Sequence, residues 1–184
     1  MNTNQLPKPT LLSDYPALKE TVSNESFIFA QRKLDGWRCI IDTQTGVLYS
    51  RSGKIINLPH ITSQVTTAFK NVKTRYVDGE LYCHGFNLHK IQSMIKLKDN
   101  RIEFHCFDSI SDDHFYKRSI YLHKAFKETE NIKIVKTEFV NTKDIQKTFE
   151  KYISEKYEGL IIRIDGFPYI QGRSESVIRM KPKY

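Results

Sequence analysis

No stretch of this chain approaches the roughly 20 consecutive apolar residues that a membrane-spanning helix requires, so no bilayer span is expected. The first twenty residues, MNTNQLPKPTLLSDYPALKE, lack a basic start followed by an apolar core, so no signal peptide is expected either. Cysteine is scarce. Cys39, Cys83 and Cys106 are odd in number and widely spaced, which argues against a disulfide framework and for a reducing compartment. Cys83-His84 and His105-Cys106 could meet around a metal, but CxxC and HxxxH spacings are missing, so inert thiols are the expectation. There is no GxGxxG and no GxxxxGK[ST], which removes the dinucleotide and P-loop signatures. No repeat or low-complexity tract is present.

What remains is an ordinary globular composition. The 184 residues amount to about one domain, and 39% apolar with 27% charged residues can build a core without reading as disordered. Lys and Arg number 29 against 21 Asp and Glu, a formal net charge of +8. That balance favours a polyanionic partner such as nucleic acid, although the lysines are spread along the chain and form no tail.

Residues 1–26 are polar and Pro-punctuated, and read as a lead-in with one short helix near residues 15–20. Residues 27–184 then form the main domain. FIFAQRK, WRCIID, GVLYSR, RYVDGELY, IEFHCFDSI, NIKIVKTEFV, GLIIRI and ESVIRMKPK all read as strands. NLHKIQSMIK places Leu88, Ile91 and Ile95 on one helical face, and residues 117–129 and 144–156 are the other expected helices. Strands in excess with interspersed helices predict an α+β fold with mixed or antiparallel sheets.

The chemistry concentrates in QRKLDGWRCIID, where Lys33, Asp35 and Arg38 surround Gly36. Alone, this could be a solvated strand end. It is followed in order by Ser50-Arg51-Ser52-Gly53, Asp78-Gly79-Glu80-Leu81-Tyr82, Phe104-His105-Cys106-Phe107-Asp108, Glu158-Gly159-Leu160-Ile161-Ile162-Arg163 and Lys181-Pro182-Lys183. These six collinear motifs resemble the covalent nucleotidyltransferase superfamily of ATP-dependent DNA ligases, RNA ligases and mRNA capping enzymes. The resemblance covers the chain from about Phe27 to its end and implies an ATP-grasp-like nucleotidyltransferase fold.

The resemblance implies a role for each residue, and elementary chemistry explains why these types are needed. A lysine amine attacks only when neutral, and its free pKa is about 10.4; burial and nearby cations are the means of lowering such a value. Lys33 would attack the α-phosphate of ATP, expel pyrophosphate and keep AMP as a phosphoramidate. Lys181 and Lys183, two residues apart on an extended strand, would point to one side and stabilise the charge gathering on that phosphate. Glu80 would accept from the ribose hydroxyls, and with Glu158 would hold Mg²⁺ or Mn²⁺. Asp35 and Arg38 would hold the sugar-phosphate side, with Arg38 also placed to reach the phosphate of a DNA nick. Arg32 is counted with the nucleotide-binding set. Arg51 and Arg173 would contact DNA. Phe107 would stack on the adenine, its bland alternative being a core phenylalanine. Gln31 stands where several relatives carry an acid, and its amide oxygen can still accept from the adenine amino group. The glycines beside Glu80 and Glu158 are expected to let the backbone crowd a ligand.

Within the superfamily, Glu before Gly-Leu-Ile and the approach Tyr169-Ile170-Gln171-Gly172-Arg173-Ser174 look like DNA ligases of the compact phage and viral kind. A capping guanylyltransferase or an RNA ligase remains the alternative enzyme, and a non-catalytic nucleic-acid-binding subunit the alternative of another class. The expected partner is nicked double-stranded DNA, with no membrane involved and a cytoplasmic location, the host cytoplasm for a viral protein. In the family an OB-fold follows the last of these motifs, and none is expected here after Lys181-Pro182-Lys183. The expectation is therefore a nucleotidyltransferase domain lacking that C-terminal fold, a monomer unless a separate subunit supplies it.

Overall fold

The computed structural model describes residues 5–182. In chain order the elements are β1 (Thr10–Asp14), α1 (Lys19–Ser23), β2 (Phe27–Lys33), β3 (Trp37–Asp42), β4 (Leu48–Ser50), β5 (Ile55–Ile56), α2 (Pro59–Phe69), β6 (Tyr76–Tyr82), α3 (Leu88–Lys96), β7 (Glu103–Ser109), α4 (Phe115–Ala125), β8 (Ile132–Ile134), β9 (Thr137–Asn141), α5 (Ile145–Ser154), β10 (Gly159–Arg163) and β11 (Gly172–Met180). They make the expected α+β arrangement. One sheet runs β1-β11-β10-β2-β9 and the other β5-β4-β3-β6-β7-β8. Both are mixed, since β1 pairs parallel to β11 and β8 parallel to β7 while the other pairings are antiparallel.

Each sheet buries its apolar face against its own helices. In the six-stranded sheet, Cys39, Ile41, Val77, Leu81, Phe104 and Cys106 pack with Ile61, Val65 and Phe69 of α2, Ile91 and Met94 of α3 and Leu122 of α4. In the five-stranded sheet, Ile28, Ala30, Leu160, Ile162 and Ile178 pack with Ile145 and Tyr152 of α5 and Val22 of α1. Strand alternation then turns the remaining side chains of β2, β6, β7 and β10 toward the space between the sheets. That space carries Gln31, Lys33, Asp78, Glu80 and Arg163 beside the apolar Phe107, Ile161 and Val177.

Four features differ from the sequence reading. NIKIVKTEFV is two strands, β8 in one sheet and β9 in the other, although its alternation looks continuous. The segment read as a lead-in contributes β1, which lies against β11 with Thr10 opposite Gly172 and Asp14 opposite Arg179. Helix α2 was not anticipated, although Ile61, Val65, Ala68 and Phe69 are buried at helical spacing. On α3 the buried positions are Ile91 and Met94, so the face is turned slightly from the one predicted.

Candidate active site

Strand β2 delivers Lys33 to the cleft at its last residue, and Leu34–Gly36 turns the chain into β3. Glycine is required at 36 because a Cβ there would run into the Leu81 carbonyl and the Glu80 side chain. The close approach brings Glu80 beneath the turn. Gly159 is required for a different reason from the one expected. A Cβ would collide with the Met180 carbonyl, so this glycine lets β10 and β11 pack rather than making room for a ligand.

The Lys33 ammonium is ion-paired with Glu158, and Lys181 holds the other oxygen of the same carboxylate. The Glu158 backbone N–H also donates to the Lys33 carbonyl (3.0 Å), which fixes the two residues side by side. Burial works against the charged form of Glu158, but Lys33 and Lys181 outweigh it and hold the carboxyl below its ordinary pKa. Glu80 behaves oppositely. Burial pushes its pKa up to about 7, with Asp78 and Glu158 adding to the rise and Arg38 and Lys33 opposing it.

Arg38 and Phe107 lie deeper. Arg38 donates from Nε and Nη2 to the two oxygens of Asp78, at 2.6 and 2.5 Å. Asp78 is fully buried and also accepts from the Tyr169 hydroxyl. The Thr10 backbone N–H donates to that hydroxyl (3.1 Å), so β1 is tied into the site. The Arg38 guanidinium lies over the Phe107 ring, 4.6 Å from its centroid. Although burial disfavours its charge, Asp78 more than compensates and pushes Arg38 above its ordinary pKa. A second buried carboxylate, Asp108, pairs with Arg118 (2.8 Å) and with Arg163 (2.7 Å).

Gln31 is only 2% exposed. Its oxygen accepts from Arg163 Nε (2.7 Å), and its nitrogen donates to the Phe107 carbonyl (3.0 Å) and the Thr137 hydroxyl (2.9 Å). The amide oxygen anticipated as a free acceptor for a base is thus already engaged by Arg163. Arg32 projects from the other face of β2 and pairs with Glu155 (2.8 Å), its guanidinium 4.7 Å from the Tyr152 ring centroid. That places its side chain with α5, away from Lys33 and Gln31, although the residue borders the cleft. Asp35 accepts from the Leu88 backbone N–H (3.3 Å) at the start of α3. Arg51 and Arg173 are exposed, and Arg173 donates to the Leu12 carbonyl (3.3 Å). Lys183 lies outside the described residues.

Two cavities meet at Lys33, Arg38 and Glu80. The narrower is lined by Gln31, Phe107, Ile161, Arg163, Tyr169 and Val177. The wider, about 1220 Å³, is open and lined by Asp35, Arg51, Glu158, Arg179 and Lys181. A third groove along β1 brings Arg173 beside Arg51 and Arg179. Sequence reasoning gave no role to Asp78, Asp108, Arg163, Tyr169 or Arg179. Asp78, Asp108 and Arg163 sit inside the quoted motifs, so they could have been singled out, but their pairing is tertiary. Among the described residues no group of three or more His, Cys, Asp or Glu converges as a ready-made metal site.

Comparison with known proteins gives one consistent outcome. The family model described as the ATP dependent DNA ligase domain matches residues 9–181. A DNA ligase of African swine fever virus (isolate Pig/Kenya/KEN-50/1950) is 28% identical over 98% of this chain and 48% of its own length. The chain therefore spans about half the length of the curated relatives it matches. The crystal structure of Chlorella virus DNA ligase-adenylate superposes with a TM-score of 0.72 at 22% identity, covering 96% of this chain and 68% of that one. A structure from a study of Lig E DNA ligases superposes at 0.76 with 20% identity, over 97% and 70% of the two chains. At these identities the superpositions show the fold.

Proposed function

The chain belongs to the ATP-dependent DNA ligase domain family, and from that premise we propose that it is the adenylation module of a ligase sealing nicks in double-stranded DNA. The observation that carries this reading is the position of Lys33, where a narrow cavity with an aromatic wall opens into a wide cationic one. The aromatic wall of the first suits a base, and the cations of the second suit a chain of phosphates. The α-phosphate of ATP would then lie at the junction, beside the Lys33 Nζ.

Release of Lys33 from Glu158 and loss of its proton give the attacking amine. Its lone pair forms a P–N bond to the α-phosphorus, the bond to the bridging oxygen breaks, and pyrophosphate leaves. Lys181 stays as the cation facing the crowded phosphate, and Arg51 and Arg179 line the exit. The adenylate then passes to the 5′-phosphate of a nick, a P–O bond replacing the P–N bond. The 3′-hydroxyl finally attacks that 5′-phosphate and AMP departs. Glu80 and Glu158 border one cavity and are oxygen donors, a set that suits Mg²⁺ or Mn²⁺, which take one or two carboxylates together with substrate phosphates. Such an ion would supply charge neutralisation at the phosphates. Phe107 offers the base an apolar surface. Arg51 and Arg173, both exposed, are the proposed contacts to DNA phosphates, whereas Arg38 is committed to Asp78.

The test supplies α-labelled ATP or GTP and then nicked DNA or nicked RNA duplexes. Label on protein from ATP, followed by its transfer to the 5′-phosphate of nicked DNA, is the expected result. Labelling from GTP alone would redirect the reading to a capping-type guanylyltransferase, and transfer only to RNA ends would redirect it to an RNA ligase.

A further inference from the structure

Strand β2 carries Phe27, Phe29, Gln31 and Lys33 on one face. Its far end, about 20 Å from Lys33 by strand rise, reaches the surface as a string of rings. Phe27 stacks on Phe139 (centroids 4.8 Å, 13° between planes), and Phe139 meets Phe29 at 5.2 Å. Phe29 lies 5.9 Å from Tyr116, and Tyr116 lies 6.3 Å from His114, both pairs stacked. Three of these rings face solvent: Phe27 and Tyr116 are each 48% exposed and Phe139 is 64% exposed. Contiguous exposed aromatics of this kind mark a binding surface.

Tyr116 also lines a cleft of about 1340 Å³ on the outer side of α4. Lys73, Lys117 and Lys124 line it. Its one acidic side chain, Asp113, is neutralised by Lys117 at 2.6 Å. Arg118, also in the wall, is consumed by Asp108. The cleft therefore presents net positive charge directly beside the ring string. Stacking planes next to a cationic track are what unpaired nucleotides require, since bases stack without regard to sequence while phosphates follow the cations. A protein partner would be served by the rings but would gain little from the uncompensated charge of Lys73 and Lys124. We propose that this surface, at the opposite end of β2 from Lys33, binds single-stranded nucleic acid, with bases on Tyr116 and Phe139 and phosphates in the lysine cleft. The proposal does not rest on the adenylation chemistry.

The experiment is fluorescence anisotropy with a labelled oligo-dT of about 15 nucleotides, within the usual range of single-strand site sizes, across a salt series. Wild type should bind, and Tyr116→Ala and Phe139→Ala should each weaken binding by about 5- to 100-fold, the range of one lost stacked base. Phe139→Leu, which keeps apolar volume but no ring, should weaken it comparably. Lys117→Ala with Lys124→Ala should flatten the salt dependence by about 0.7 in log–log slope for each phosphate contact removed. Adduct formation at Lys33 should stay at the wild-type level in all four, which separates failure here from failure of the ligase reading. Absence of binding by wild type, unchanged binding in Phe139→Ala, or full retention in Phe139→Leu would each overturn the proposal. So would a wild-type dimer in sedimentation that Phe139→Ala converts to monomer, because the surface would then be an interface between copies.

Discussion

The base of the cleft and its mouth are built from the same materials and behave differently. At the base, Asp78 and Asp108 are 0% and 1% exposed, and each is gripped by more than one partner from different elements. Arg38 and Tyr169 hold the first, Arg118 and Arg163 the second. At the mouth, Glu158 and Lys181 keep 21% and 39% side-chain exposure and share one carboxylate between two lysines. Buried pairs cannot exchange partners without leaving an uncompensated charge, so they fix geometry. Partly wet pairs lose little by being opened, since water replaces the partner. The base is therefore scaffold, and the mouth is where, on the proposed function, substrate phosphates would displace the pairing of Lys33 and Lys181 with Glu158.

Breaking the base should cost stability first. Asp108→Ala strands two buried guanidinium groups, and about 3–5 kcal/mol should be lost in urea unfolding. Breaking the mouth should do the reverse. Glu158→Gln should leave unfolding free energy within about 1 kcal/mol but slow adenylation on the order of 100-fold in single-turnover labelling, the scale of a lost electrostatic group at a reacting phosphate. If Glu158→Gln unfolded as readily as Asp108→Ala, the contrast would be wrong.

Tyr169→Phe probes the link between base and β1. It removes the hydrogen bond to the buried Asp78 carboxylate and the acceptor of the Thr10 backbone N–H, and should cost about 1.5–3 kcal/mol in the same unfolding measurement. Glu80 lies between the two regions, and its effect is a drift with pH. Its carboxyl ionises near 4.5 when unfolded and near 7 in the fold. The folded state thus keeps a proton that the unfolded state releases, so this contribution to stability is full below pH 4.5 and is lost as pH rises through 7. The stability difference between wild type and Glu80→Gln should drift against wild type across that window, and a flat difference would remove Glu80 from the account.

Much of the mouth was legible in the sequence because its residues sit in short linear motifs. Lys33, Glu80, Glu158 and Lys181 all converge as expected. The base was not, because Asp78 meets Tyr169 and Asp108 meets Arg163 only through the fold, 91 and 55 residues apart in sequence. Gln31 shows the same limit. Its side chain can accept from a base in isolation, yet Arg163 takes its oxygen in the fold. The split of NIKIVKTEFV was hidden because β8 and β9 keep strand periodicity through the crossing between sheets. Helix α2 was masked by its three threonines and its Ile and Val, which dilute helix propensity around a regular buried face.

The central claim, that Lys33 is the nucleophile at the junction of the two cavities, is tested most directly by incubating the chain with ATP and Mg²⁺ and mapping the product by mass spectrometry. The account predicts one added AMP on the peptide bearing Lys33, removed by pyrophosphate and absent in Lys33→Ala. An adduct on Lys181 or any other residue, or one that persists in Lys33→Ala, would contradict it.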